Sequence, residues 1–256
     1  MTAFDQAVET IRRGSDSATL AAQLYDELTD DERMNLLDGD IYYWQGRLDI
    51  VRHGYNIAPY VMGAVNRLGI PGIRFVDGRR GCVSGHGTAF PVSMARGATW
   101  NEALEERVGE AIGEEVREQG GNLFGGVCIN LPRHPAWGRI QETYSDQPVL
   151  LGSLGAALTR DVRRHAMACV KHFACNSMEN ARFKVDGKVD EATFHEVYGP
   201  HFKTVIDAGA DAVMTAYNSV NGEYCGQNAW LIRQTLRKDW GFTGIASSDL
   251  VWGVSD

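Results

Sequence analysis

At 256 residues, 44% hydrophobic and with 29 glycines, the chain is long enough for one large α/β core with many tight turns. A formal net charge of −8 at pH 7 excludes the broad basic surface that nucleic acid or an anionic membrane needs, so neither is expected as a partner. Five cysteines, at 82, 128, 169, 175 and 225, form no Cys-x-x-Cys pair, and an odd set without framework spacing reads as reduced thiols of a cytoplasmic protein.

Residues 1–27 read as a polar amphipathic lead, with neither the basic start nor the apolar stretch of a signal peptide or membrane span. Thr29 then caps a helix that carries Met34, Leu36 and Leu37 and stops near Gly39. Residues 46–59 read as a loop. Gly72 to Asp77 is a strand candidate ended by Gly78. Asn101 caps a long helix whose Leu104, Val108, Ile112 and Val116 recur every four residues, and Gly120-Gly121 closes it. Val127 to Leu131 reads as a buried strand, Leu150 to Arg164 as helix, and Met167 to Phe173 as strand. Asp190 opens a helix that Pro200 kinks. Ala212 to Tyr217 is strand, Ala229 to Trp240 helix, and Gly244 to Ser248 strand. Strands alternating with helices mean parallel pairing through crossovers. The expected fold is α/β, a (β/α)8 TIM-barrel-like domain. About six strands are legible where a closed barrel wants about eight, so the barrel is expected to be incomplete at its C-terminal end.

Several apolar segments deliver polar groups to their own ends, which is how a β/α barrel builds a site. Asp249 follows Gly244-Ile245-Ala246-Ser247-Ser248; it reads as a nucleophilic carboxylate or as a strand-end turn cap. Lys171-His172 suits donation to hydroxyl oxygens, and equally a buried lysine satisfied by a structural acid. Asp77 fits an acceptor for two adjacent hydroxyls or a simple Asp-Gly turn. Arg133 and Arg139 offer bidentate donors, with Arg133 equally able to be structural, and Glu142 reads as a partner to an arginine. Tyr217 fits a donor to the carboxylate of Asp249 or a buried phenol bonded to backbone. Trp252 reads as a stacking surface or a core residue. His195-Glu196 is followed by His201, so the zinc spacing His-Glu-x-x-His is absent, and no phosphate-binding glycine loop is present. No metal or cofactor is expected.

The chain resembles family 3 of the glycoside hydrolases, the β-glucosidase and exo-glucanase group. The resemblance rests on five stretches in the family's order: Val76-Asp77-Gly78-Arg79-Arg80-Gly81; Pro132-Arg133-His134-Pro135-Ala136-Trp137-Gly138-Arg139-Ile140-Gln141-Glu142; Lys171-His172-Phe173-Ala174-Cys175-Asn176; Ala216-Tyr217-Asn218-Ser219-Val220-Asn221-Gly222; and Trp240 through Asp249. It runs from about Leu28 to the C-terminus. Leu250 stands where the family usually has Trp, and Tyr144-Ser145-Asp146-Gln147-Pro148 replaces the usual Gly-Glu-Asp-Pro.

The resemblance implies a retaining β-glycosidase acting on the terminal non-reducing β-D-glucosyl residue of a β-glucoside or short β-glucan. It gives Asp249 as nucleophile, with nearby cations expected to hold its pKa low. It places Asp77, Arg139, Lys171, His172 and Tyr217 at the sugar, with Arg133 at or behind it. It divides the chain into the lead, 1–27, and the family's N-terminal barrel, 28–256, without the last barrel segment and the second α/β domain. The acid/base residue is then not evident, since many members carry it on that later domain; Glu179 is the local carboxyl to weigh. Two other readings stand beside this one: a weakly active or inactive sugar-binding remnant, and a β/α-barrel lyase forming a Schiff base on Lys171. An uncovered sheet edge would invite a homodimer.

Overall fold

The computed structural model describes residues 1–41 and 43–250. The chain divides into two compact units, Met1–Phe75 and Val76 onward.

In the first unit the polar lead folds into two helices, α1 (Ala3–Arg12) and α2 (Ser17–Asp26). Thr2 and Asp5 form a reciprocal capping box for α1, and Asp16 caps α2 through the Thr19 amide at 2.8 Å. Thr29 caps α3 (Asp30–Asn35) with Glu32 completing a second box. Leu28, Val65 and Leu68 form a small core, with Ala3 and Ile70 packed against it. The loop expected over residues 46–59 is instead largely helix α4 (Tyr43–His53). The helix accommodates Gly46, since an interior glycine costs only about 1 kcal/mol. Arg52 and His53 suit the C-terminal dipole, and Gly54 at φ +94° ends the helix. A short strand unread in the sequence, β1 (Tyr60–Met62), lies antiparallel to the first residues of β2 (Ile73–Asp77).

The second unit holds α5 (Ser93–Gly97), α6 (Glu102–Glu118), β3 (Leu123–Cys128), α7 (Pro148–Val162), β4 (Met167–Phe173), α8 (Glu191–Thr193), α9 (Pro200–Asp207), β6 (Ala212–Thr215) and β9 (Ile245–Ser247). A small separate sheet is formed by β5 (Asp186–Gly187), β7 (Ser219–Val220) and β8 (Glu223–Tyr224). Along the main sheet the neighbours run β2, β3, β4, β6, β9, and β3–β4, β4–β6 and β6–β9 pair in parallel. With β1 antiparallel to β2, the chain is an α/β fold on a mixed sheet.

Strand β3 starts four residues before the expected one. The added residues include Gly125-Gly126, and Gly126 lies against the Phe124 ring and the Gly78 carbonyl, where a Cβ would collide. The stripe of α6 is rotated too. Leu104 is half-buried and the buried face is Glu105, Val108, Gly109, Ile112, Gly113 and Val116. Glu105 is accepted there because Arg96 grips it with Nε at 2.9 Å and Nη2 at 3.0 Å, and the Tyr144 hydroxyl donates to it at 2.6 Å. Gly109 lets α6 approach α7, since a Cβ there would meet the Leu158 carbonyl at 2.8 Å. Asp190 caps α8, which passes through a π-helical segment, Phe194–Tyr198, into α9 at Pro200. Phe173 at the end of β4 packs edge-on against Phe194, Phe202 and Trp240, with ring centroids 5.3–6.1 Å apart. Those rings anchor the end of β4 that bears Lys171 and His172.

Candidate active site

Parallel strands put their C-terminal ends on one edge of the sheet, and the polar residues collect there. Asp77 ends β2 and Lys171-His172 lie one turn of pleat before the end of β4. Asn130, Tyr217 and Asp249 each sit two residues past a strand, after β3, β6 and β9. All except Tyr217, which is half-buried, are almost wholly withdrawn from solvent.

Asp77 and Lys171 form one buried pair, Nζ to Oδ1 at 2.6 Å, and the Gly78 amide donates to the same oxygen at 2.8 Å. Burial alone would raise the Asp77 pKa, but the Lys171 ammonium, with Arg79 and the Gly78 amide, outweighs it and takes the group down to about 2. The second pair is built on Glu142. Its Oε2 accepts from Arg139 Nη2 at 2.7 Å and Nε at 3.0 Å, and meets Arg79 Nε at 2.8 Å. Glu179 takes the Trp137 indole N–H at 3.2 Å and pairs with Arg182 at 3.0 Å.

His172 is fully buried. Its backbone N–H donates to Asn130 Oδ1 at 2.9 Å, its carbonyl accepts from Asn130 Nδ2 at 2.7 Å, and its Nδ1 also lies 2.9 Å from Asn130 Oδ1. Burial, with Arg139, Lys171, Arg79 and Arg182 around it, drives its pKa well below the usual histidine value, so the ring is neutral.

Asp249 Oδ1 accepts from the Leu250 amide at 2.7 Å, and Oδ2 lies 3.7 Å from His172 Nε2. Oδ2 is buried and, among the described residues, receives no hydrogen bond. The Asp249 pKa is raised, against the expectation that cations would hold it low. Desolvation dominates, and Lys171, the Leu250 amide, Arg139 and the Tyr217 hydroxyl only partly offset it. The Tyr217 hydroxyl donates to the Leu250 carbonyl, which braces the backbone beside Asp249, and it also lies close enough to interact with the Asp249 carboxylate, as the sequence suggests. Burial and the Asp249 charge push the phenol pKa up, which keeps it a donor. Arg133 is exposed and lies 5.9 Å from the centre of the Tyr198 ring. Trp252 falls outside the described residues.

Two residues that carry this arrangement were not singled out in the sequence, Asn130 and Arg79. Asn130 was hidden because the strand before it was placed too late, which made it an interior strand residue. Its position two past the strand end is the one shared by Tyr217 and Asp249. As for metals, Glu110, Glu114 and His165 bring three ligand atoms within 4.8 Å, but Glu110 is held by Arg164 at 2.9 Å.

Among the described residues, a buried carboxylate oxygen without a hydrogen bond stands beside fixed donors and acceptors at the C-terminal ends of parallel strands, the arrangement of an α/β enzyme-type domain. The comparisons narrow the class. Residues 55–255 match the glycosyl hydrolase family 3 N-terminal domain, and the chain belongs to that family. It is 37% identical over 195 residues to a beta-glucosidase of Rhizobium radiobacter, covering 73% of this chain and 24% of the relative. It is 36% identical over 205 residues to thermostable beta-glucosidase B of Acetivibrio thermocellus, covering 74% of this chain and 27% of that one. The structure of beta-glucosidase 3B from Thermotoga neapolitana in complex with glucose superposes with a TM-score of 0.82 at 34% identity, covering 89% of this chain and 33% of that chain. The chain thus spans about a quarter of the length of these curated relatives. Among the described residues no helix is long and apolar enough to cross a membrane.

Proposed function

We propose that this chain carries the nucleophile half of a retaining β-glucosidase site, with its sheet read as part of an eight-stranded β/α barrel. The observation that carries the reading is Asp249 Oδ2, a buried carboxylate oxygen with no donor among the described residues, facing a set of groups that bind hydroxyls. A glucosyl residue placed there accepts hydrogen bonds from Lys171 and Arg139 and donates to Asp77. Asp249, once ionised, attacks C1 as the bond from C1 to the leaving oxygen breaks, forming a glycosyl ester that water then cleaves. Tyr217 steadies the chain at Leu250, and a sugar's approach replaces the missing partner of Oδ2.

Retention needs a second carboxyl group about 5–5.5 Å away with a raised pKa. The neighbours do not supply it readily. Lys171 holds the Asp77 pKa down, Glu142 already pairs with two arginines, and Glu179 already accepts from Trp137 and pairs with Arg182. Among described carboxyl groups with a resolved shift, Asp249 alone is shifted upward. We therefore assign the proton donor to no residue of 1–250.

The Schiff-base alternative is disfavoured by the 2.6 Å contact of Lys171 with an ionised Asp77, which stabilises an ammonium and not a nucleophilic amine. The test is labelling of the full chain with an activated 2-deoxy-2-fluoro β-glucoside. One adduct should form on the peptide containing Asp249, and Asp249→Asn should prevent it. Labelling elsewhere, or undiminished labelling of Asp249→Asn, rejects the assignment.

A further inference from the structure

The hydrogen bonds around Asn130 fix more than a backbone. The His172 N–H can only donate, so the Asn130 atom 2.9 Å from it is the oxygen; the His172 carbonyl can only accept, so the atom 2.7 Å from it is the nitrogen. The amide therefore has one orientation. Its oxygen also faces Nδ1 of the imidazole at 2.9 Å, and oxygen offers no hydrogen, so the ring nitrogen must supply it. A neutral ring protonated at Nδ1 carries a lone pair at Nε2. That lone pair sits on the edge that looks toward Asp249 Oδ2, 3.7 Å away.

We propose that Asn130 is a positioning residue that holds His172 in its Nδ1–H tautomer, so that His172 accepts a hydrogen bond from the bound ligand instead of giving one. The sequence reading had His172 as a donor to a sugar oxygen; the geometry reverses the direction. The inference rests on the reading of this pocket as a sugar site only for its consequence. At Nε2 the ligand must present a group with a hydrogen to give, such as a hydroxyl, and an ether or carbonyl oxygen there is rejected. It also accounts for two acceptors, Nε2 and Oδ2, standing 3.7 Å apart: a donor hydroxyl of the ligand satisfies one of them, whereas a ring protonated at Nε2 would aim its hydrogen at the nucleophile's own carboxylate.

Three surroundings support a neutral, single tautomer. Cys128 Sγ lies 3.9 Å from Nδ1, and burial raises its pKa to about 11, so no thiolate competes for the Nδ1 proton. Lys171 on the same strand and Arg139 on the facing turn disfavour a charged ring. The Asn130 side chain is itself 1% exposed, so water does not compete for the amide.

The experiment is long-range proton–nitrogen NMR on the full chain labelled with 15N-histidine, with His172→Gln identifying the resonance among seven histidines. The wild-type spectrum should show His172 neutral and protonated at Nδ1. In Asn130→Leu, of similar size but without an acceptor, the Nδ1–H to Nε2–H ratio should fall by about fivefold, the worth of one hydrogen bond. A wild-type ring protonated at Nε2 or at both nitrogens overturns the proposal, and so does an unchanged tautomer in Asn130→Leu. The wild-type spectrum decides by itself if the variant does not fold. Neither measurement needs turnover, so a failure of Asp249 labelling would sink the glycosidase reading and leave this one standing, and the reverse holds.

Discussion

His172 Nε2 and Asp249 Oδ2 face each other at 3.7 Å inside the protein, too far for a hydrogen bond and too buried for water to serve both freely. Among the described residues nothing bridges the pair, so Oδ2 is buried without a donor, a cost that proteins accept where a group serves function rather than stability.

That state has a measurable signature. Burial raises the Asp249 pKa in the folded protein above its unfolded value. The folded state then keeps the proton to higher pH than the unfolded chain does. Its contribution to stability is present at low pH and is lost as pH rises from about 4 through the folded pKa, leaving a net cost at neutrality. Asp249→Asn removes the buried charge. The variant should melt about 2–4 °C higher than wild type at pH 7, the effect of roughly 1 kcal/mol in a chain of this size. The gain should shrink as pH is lowered toward 4. Paired thermal melts at the two pH values check this; an unstabilised variant at pH 7 would show that Oδ2 has a partner in solution.

The Asp77–Lys171 pair has the opposite sign. Burial opposes ionisation, yet Lys171 and its neighbours bring Asp77 to about 2, below the unfolded value near 4. Its contribution is present above about pH 4 and is lost as pH falls toward 2. Asp77→Asn strands a lysine that is 2% exposed, and removing one partner of a buried pair costs about 3–5 kcal/mol. Urea unfolding at pH 7 should show that loss, and the difference from wild type should narrow below pH 4. A loss under about 1 kcal/mol at pH 7 would mean that Lys171 finds another acceptor.

How much of this was legible follows from what each residue depends on. Strand β4 was readable to the residue because its apolar run has no internal glycine and ends in charge. The Asn101 cap of α6 and the Thr29 box of α3 are local hydrogen bonds, and local chemistry is written in neighbouring letters. Glycine is an ambiguous letter: Gly46 lies inside a helix, and Gly126 lies inside a strand, packed against the ring of Phe124 on the same strand and a carbonyl from Gly78. The site residues Asp77, Lys171 and Asp249 could be picked as strand ends. Their pairing could not, because it joins positions 94 residues apart. For the same reason no neighbouring letters signal that Asn130 clamps His172, 42 residues on, or that Arg79 shares Glu142 with Arg139.

The arrangement of carboxyl groups also predicts which substrates the chain can turn over. Asp249 can form the glycosyl ester unaided only if the departing oxygen leaves as an anion. Asp77, Glu142 and Glu179 are each already engaged by cations or donors of the protein, and none is assigned as the proton donor. General acid assistance is typically worth about 10²–10⁴-fold, and its worth falls as the leaving group becomes more acidic. An aryl β-glucoside with a dinitrophenolate leaving group should therefore be cleaved by this chain at a rate approaching that of a full-length relative. Cellobiose should be cleaved about 10²–10⁴-fold more slowly than by that relative. Steady-state kcat/KM for both substrates, measured on both proteins, gives the comparison. Equal deficits on the two substrates would place the defect at Asp249 or in sugar binding, and no deficit on cellobiose would show that a competent acid is already in the chain.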